Sequence, residues 1–265
     1  MQNNLMSNNF DPNQNHYIYI KKDYTPLVFI HGVGLDHQMW KPQIENLNEF
    51  STITYDLLGH GKTPCKKEKL NLGDFSNQLN EILKYLNIDK IHLIGFSLGS
   101  LIALDFASKL GDKIDKLILI GTTYKRSSEE RSLVLDRYNQ AKLNKPISKQ
   151  ALKRWFTDEY LEKNPKTYNL FMNILSKKPE DHKNFLKAYQ LFANHEDNTQ
   201  VIQNITSKTL VMTGSDDSGS TPAMSKELTK DLVNSRYVEI KNGKHLCSIE
   251  CADDVNMNIR NFINS

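Results

Sequence analysis

The chain is poor in cysteine, with three in 265 residues. Cys65 stands alone, and Cys247 and Cys251 are four positions apart. An odd count fits a reducing compartment better than a disulfide framework. A zinc site built on the close pair would need two more ligands at suitable spacing. His245 is near, but the arrangement below gives it another use, so no metal is expected. No apolar stretch approaches the roughly 18 residues of a membrane span. The start, Met1 to Asn15, is polar and Asn-rich. It lacks the basic region followed by an apolar run that marks a signal peptide. A cytoplasmic protein is expected. Strong charge of one sign is also missing. A net +3 is too mild for a nucleic-acid partner, which needs a heavier basic patch. There is no internal repeat and no low-complexity linker.

The charge that is present is unevenly spread. Residues 125–187 hold fifteen Lys and Arg against eight Asp and Glu. That local excess of +7 leaves the rest of the chain at about −4. Either a lysine-rich face is solvated there, or a positive field covers a site that receives anions.

Short apolar runs recur at Leu27 to Ile30, Thr52 to Tyr55, Ile91 to Ile94, Leu117 to Ile120, Leu210 to Met212 and Tyr237 to Ile240. Each is rich in aliphatic residues and bounded by polar residues or glycine. Strands buried on both faces of a parallel sheet read this way. Tyr17 to Tyr19 alternates less clearly and suits an outer antiparallel strand. Between the runs lie helical patterns. Phe75, Leu79, Ile82, Leu83 and Leu86 fall at helical spacing, with Asp74 as the expected N-cap. Leu101, Leu104, Phe106 and Leu110 suit a helix starting just after Ser97. Asp253 to Ile263 reads as a closing helix. The alternation predicts a doubly wound, mostly parallel α/β sheet.

That alternation stops after Ile120 and resumes at Thr209. The span between reads as amphipathic helices without a strand. Ser148 is placed to cap one. Pro165 and Pro179 stand at helix starts, the second followed by Glu180 and Asp181 in a favourable first turn. The expected organisation is a core of residues 1–121 and 201–265, with an all-helical cap over residues 122–200.

The strongest local signal is Gly95-Phe96-Ser97-Leu98-Gly99. A bare GxSxG is weak, but this one follows a buried strand and opens a helix. A strand–turn–helix of that kind exposes a serine at the carboxyl end of a sheet. A serine hydroxyl needs a base to take its proton. Of eight histidines, His245 lies in the loop after a late strand, from which it can reach back over the turn. His31 and His60 sit in Gly-rich turns and read as local hydrogen-bond partners. The acid that orients the imidazole is expected in Thr213-Gly214-Ser215-Asp216-Asp217, which offers two carboxylates. Two backbone N–H groups should stabilise the oxyanion. Leu98, directly after the serine, supplies one. Val33, in His31-Gly32-Val33-Gly34, is the expected second.

Taken together, these residues resemble the α/β-hydrolase superfamily over nearly the whole chain. The landmarks are His31-Gly32-Val33-Gly34, Met39-Trp40, Tyr55-Asp56-Leu57-Leu58-Gly59-His60-Gly61, the Ser97 turn and the late Asp and His. The resemblance implies the α/β-hydrolase fold and the order Ser97, Asp217, His245, because the acid in that superfamily is usually the third residue after the glycine. Ser97 sets the chain apart from the haloalkane dehalogenases and epoxide hydrolases, whose nucleophile is Asp. A narrower resemblance is to the 3-oxoadipate enol-lactonases. It covers Leu35 to Trp40, the segment Arg154-Trp155-Phe156-Thr157, and Gly214 to Glu250 with Ser220-Thr221-Pro222 and His245-Leu246. The chain departs from them at His31-Gly32, more typical of general esterases of this fold, and at Lys208, where a proline commonly stands.

These readings point to a serine hydrolase of a small carboxylic ester or lactone, working through an acyl-enzyme without metal or organic cofactor. A 3-oxoadipate enol-lactonase-like enzyme acting on a small anionic lactone is the leading form. Arg154 would then pair with a substrate carboxylate, and Trp40, Phe96 and Trp155 would line the pocket. Three alternatives remain open. One is a short-chain carboxylesterase with an uncharged pocket of Trp40, Phe96 and Phe171. Another is a carbon–carbon bond hydrolase. The last is a ligand-sensing protein that keeps the fold. The oligomeric state is not legible.

Overall fold

A computed structural model describes residues 9–143 and 148–265. The first eight residues of the polar start, and residues 144–147 within the basic span, lie outside the described residues. Eight strands form one sheet in the order β1-β2-β4-β3-β5-β6-β7-β8. They are β1 Asn9–Phe10, β2 His16–Ile20, β3 Leu27–Ile30, β4 Thr52–Tyr55, β5 Ile91–Phe96, β6 Ile114–Ile120, β7 Lys208–Gly214 and β8 Ser235–Ile240. From β4 to β8 every pairing is parallel, whereas β1 and β2 run antiparallel at one edge. The sheet is thus the mostly parallel α/β arrangement expected. The run Tyr17 to Tyr19 is antiparallel, as read, but β1 lies outside it.

β3, β4 and β5 are buried along their whole length, which is why they read as unbroken apolar runs. β6, β7 and β8 begin earlier than the apolar runs, at Ile114, Lys208 and Ser235. Their first residues include Lys116, Lys208 and Arg236, which apolar patterning passes over. All three cations lie over the Phe262 ring, at 5.7, 5.8 and 4.9 Å from its centroid. A ring face attracts cations, so charged side chains are accommodated where the strands start.

Helices cover both faces. α1 is Lys41–Asn46, α2 Leu72–Leu86 and α3 Leu98–Leu110. Between β6 and β7 come α4 Ser128–Lys142, α5 Ser148–Trp155, α6 Asp158–Lys163, α7 Pro165–Leu175, α8 Pro179–Asn194 and α9 Thr199–Gln203. α10 Pro222–Asp231, α11 Cys247–Glu250 and α12 Ala252–Ile263 complete the chain. Among the described residues no helix is long and apolar enough to cross a membrane.

One expected cap is corrected. α2 starts at Leu72, and its N-cap is Asn71, not Asp74. Asp74 is the third helical residue. Its carboxylate accepts from Asn71 N, while Asn71 Oδ1 accepts from Asp74 N. This reciprocal pair satisfies two amide donors at once, so the acid does its work one turn inside the helix. Ser148 is the first residue of α5.

A buried carboxylate stabilises the loop after β4. Asp56 accepts from Nδ1 of His16 and of His37, both at 2.7 Å, and from the amides of His37 and Lys62, both at 2.9 Å. Burial works against its charge, but the hydrogen bonds from His16 and His37 outweigh it and hold its pKa below the carboxylate range. A depressed folded pKa means that the unfolded chain binds the proton first. The Asp56 contribution is therefore complete above about pH 4 and is lost as pH falls below that. Asp56→Asn is expected to cost roughly 3 kcal/mol at neutral pH, since the buried His16 and the half-buried His37 imidazoles lose their charged acceptor. Urea unfolding at stepped pH should show a shallower loss between about pH 4 and 2 in the variant. An unchanged acid slope would move the effect to other carboxylates.

Candidate active site

Val33, Ser97, Asp217 and His245 lie on four different loops at the carboxyl end of the parallel strands. β5 ends at Phe96 and α3 starts at Leu98, so Ser97 is the whole turn. Its backbone sits at φ 54°, ψ −115°, a conformation rare for a residue with a side chain. The turn closes because Gly99 brings α3 against β3, where a Cβ would stand 2.2 Å from the Ile30 carbonyl oxygen. Ser97 N donates to Ile120 O at 2.9 Å, and Ser100 Oγ donates to Gly95 O at 2.7 Å. These bonds fasten the strained residue from both sides.

β7 ends at Gly214 and delivers the acidic pair. The structure separates its two members. Asp217 is buried and accepts from His245 Nδ1 at 2.6 Å and from the amides of Gly219 and Ser220, both at 2.9 Å. Asp216 is exposed, and among the described residues its carboxylate accepts a hydrogen bond only from the neighbouring Ser215 hydroxyl, at 3.3 Å. His245 follows β8 and packs its ring on Phe96 at a centroid distance of 4.8 Å. With Nδ1–H given to a carboxylate, Nε2 is left as an acceptor. A Cβ on Gly214 would stand 2.2 Å from the Gly243 carbonyl oxygen, so glycine is what lets the Asp and His loops approach.

The loop after β3 carries Val33. Gly34 N donates to His60 Nε2 at 3.0 Å, and Leu35 N to Gly32 O at 3.2 Å. Among the described residues the intervening Val33 amide has no acceptor. Leu98, as the first residue of α3, has no intrahelical acceptor for its amide either. His31 Nδ1–H donates to Gly32 O at 2.8 Å, while its Nε2 accepts from Leu57 N at 3.0 Å. His60 donates through Nδ1 to Leu58 O at 3.1 Å. Burial lowers the pKa of both rings and keeps them neutral, so each can donate at one nitrogen and accept at the other. His31 and His60 are therefore the local supports the sequence implied.

Ser97, Asp217 and His245 open on one cavity of about 110 Å³, together with Val33, Phe96, Arg154 and Trp155. That volume lies below the range of drug-sized ligand sites and suits a short substrate. The opposite wall comes from α4 to α8. It includes Val134, Arg137, Leu175, Phe185, Tyr189 and Phe192, none of which the sequence reading had singled out. The signal for Arg137 was its position on α4, in register with buried Val134 and Ala141.

Trp40 is a correction. It is fully buried and packs on Phe29 at 5.0 Å between centroids, away from the cavity. The cause is local. The Asp36 carboxylate caps the short 3-10 turn His37–Trp40 by accepting from Gln38 N at 2.9 Å, which rolls Met39 and Trp40 into the core. Phe171 is also buried and does not line this cavity. The α5 end is tied to the His245 loop. Leu246 N donates to Trp155 O at 3.0 Å, Thr157 N to Glu250 at 3.0 Å, and Lys244 Nζ to Lys153 O at 2.9 Å. A group of metal-ligand type, His16, His37 and Asp56, has its atoms within 4.8 Å of one another. Both Asp56 oxygens and both ring Nδ1 atoms are engaged in the mutual bonds described above. Binding an ion would first have to break them.

The sequence model of the alpha/beta hydrolase fold matches residues 25–251. The chain belongs to the alpha/beta hydrolase fold family. Within that family it is 27% identical to (E)-2-((N-methylformamido)methylene)succinate hydrolase of Acinetobacter baylyi, over 92% of each chain. It is 26% identical to 3-oxoadipate enol-lactonase 1 of the same organism, over 84% of this chain and 83% of that one. The enol-lactonase structure from Burkholderia xenovorans LB400 superposes with a TM-score of 0.86 at 23% identity, covering 95% of this chain and 97% of that one. At that identity the likeness speaks for the fold alone.

The adjacent carboxylates give a direct test. Asp217→Asn should lower turnover of 4-nitrophenyl butyrate by about 10⁴-fold, the scale seen when such an acid becomes an amide. Asp216→Asn should change it less than threefold. Reversed effects would contradict the hydrogen-bond geometry.

Proposed function

We propose that this chain is a serine hydrolase of small carboxylic esters or lactones, with Ser97 as nucleophile, His245 as general base and Asp217 as the orienting acid. One observation carries the reading: a half-buried Asp217–His245 hydrogen bond opens on the same cavity as a serine held on a strained turn. Ser97 Oγ attacks the carbonyl carbon while His245 Nε2 takes its proton. The oxyanion is held by the amides of Val33 and Leu98. Collapse expels the leaving oxygen, which takes the proton from His245. Water then attacks the acyl ester, gives a proton to His245, and the free acid leaves as Ser97 is reprotonated. Asp217 stays ionised and stabilises the imidazolium at each transfer. The helices of residues 122–200 act as the cap that roofs the cavity.

The favoured substrate is a small anionic lactone of the enol-lactone kind. Support comes from Arg154, a residue of the cavity lining whose guanidinium is a planar fork suited to a carboxylate. The relative named 3-oxoadipate enol-lactonase adds to it. An enol oxygen leaves more readily than an alkoxide, so the acid–base demand on His245 is light. Once the ring opens, the enol tautomerises to a ketone and closure is not favoured. A second reading, a short-chain carboxylesterase, draws on the apolar part of the wall, Val134, Leu175, Phe185 and Phe192. A carbon–carbon bond hydrolase uses the same three residues and is separated by its substrate.

Three measurements test this. A fluorophosphonate probe should label the protein and fail to label Ser97→Ala; persistent labelling would place the nucleophile elsewhere. Arg154→Ala should raise KM about tenfold or more for esters with a carboxylate tail and spare neutral esters. For the substrate class, kcat/KM on 3-oxoadipate enol-lactone is compared with that on a neutral butyrate ester. A preference for butyrate above about tenfold, roughly 1.4 kcal/mol in transition-state binding, would sink the lactonase reading in favour of the esterase.

A further inference from the structure

The cavity at Ser97 is lined by a second guanidinium that the mechanism above leaves unused. Arg137 comes from α4 and Arg154 from α5, and both face the same space. Arg137 occupies the inward face of its helix. Val134 and Ala141 are buried, Arg137 and Tyr138 are half-buried between them, and Leu133, Leu135, Asp136 and Asn139 are exposed. Positions three, four and seven apart share a helix face, so a charged residue stands where packing calls for an apolar one. A cation drawn out of water is costly unless an anion meets it.

No anion of the protein does. Arg137 shares the cavity wall with Tyr189, a neutral phenol. Arg154 donates to the Gln150 carbonyl at 3.1 Å, also neutral. Among the described residues neither guanidinium has a carboxylate within 4.0 Å, although most exposed ion pairs of the chain join lysines and acids on the surface. The undescribed segments 1–8 and 144–147 contain no Asp or Glu, so they have none to offer. Asp217 is the one carboxylate lining the cavity, and His245 and two amides already hold it. Burial, and after it the charge of Arg137, disfavour the charged form of Arg154. A guanidinium cannot shed its proton under such pressure, so the repulsion persists until an anion arrives.

We propose that Arg137 and Arg154 form one receptor for two carboxylates, so that the substrate keeps two free acid groups beside the ester or lactone carbonyl. This rests on the reading of the Ser97 cavity as the substrate site. Each fork takes one carboxylate in a bidentate pair. A single carboxylate would leave one of the two cations uncompensated. The backbone tie between Trp155 and Leu246 holds α5 beside the His245 loop.

The test uses three 4-nitrophenyl esters whose acyl parts carry zero, one and two free carboxylates: butyrate, hydrogen glutarate and the monoester of tricarballylate. In the wild type kcat/KM should rise by about tenfold or more at each step. Arg137→Gln should abolish the second rise and Arg137→Lys should retain part of it. Binding is measured separately, by calorimetry on Ser97→Ala with butyrate, which has one carboxylate, and glutarate, which has two. Glutarate should bind at least tenfold tighter, and the ratio should fall toward one when Arg137→Gln is added. Ordered binding without ester turnover would overturn the hydrolase reading and leave the receptor standing. Equal affinity for the two acids, or a ratio that Arg137→Gln does not change, would overturn the receptor.

Discussion

A Cβ on Gly99 would collide with the Ile30 carbonyl oxygen at 2.2 Å, and the serine turn at the floor of the cavity depends on the contact that glycine permits. Because α3 approaches β3 this closely, the chain between β5 and α3 is reduced to Ser97. That residue must then accept a positive φ. Its side chain is pushed above the sheet, and the first amide of α3 is left without an intrahelical acceptor. The same proximity sets the end of β3, and with it the Val33 loop, beside the turn. Strain at one residue is held by ordinary packing of the elements around it, which is how a folded chain keeps a costly conformation.

Two buried carboxylates illustrate how one chemistry serves two ends. Asp56 and Asp217 are each bonded to imidazole at 2.6 to 2.7 Å and each also accept from two amides. Asp56 is enclosed, with both oxygens spent on holding loops in place. Asp217 has its imidazole partner on a cavity wall, next to the strained serine. Access, not bond strength, distinguishes the hub from the candidate catalytic acid. The helices above the cavity add an opposite electrostatic element. Their excess of lysine and arginine is mostly solvated, but Arg137 and Arg154 turn inward.

The strands of the buried sheet were readable because residues covered on both faces must be apolar, and β3, β4 and β5 match the apolar runs at nearly every position. The beginnings of β6, β7 and β8 were not readable, since Lys116, Lys208 and Arg236 are made tolerable by a ring, Phe262, far away in sequence. Asp74 was misplaced by one turn for a similar reason. A capping box needs two residues, and a carboxylate looks equally suited to either end of it. Trp40 matched a motif that sits near the cavity in sequence terms, yet the cap at Asp36 turned it into the core.

By itself the sequence determined the parallel sheet, the serine turn and the loops that bear Val33, Asp217 and His245, because each of these is written in local pattern: apolar runs, paired glycines, and polar residues just past strand ends. The fold had to decide what local pattern cannot carry. It turned Asp217 inward and Asp216 outward, a difference that only the family resemblance, and no local pattern, had picked out. It took Trp40 and Phe171 away from the cavity and brought in Arg137, Tyr189, Phe185 and Phe192. Those residues lie 40 to 95 positions beyond Ser97 in the numbering. They meet it only because helices packed across the end of the sheet point one face down, and which face that is depends on neighbours the helix cannot see along its own sequence.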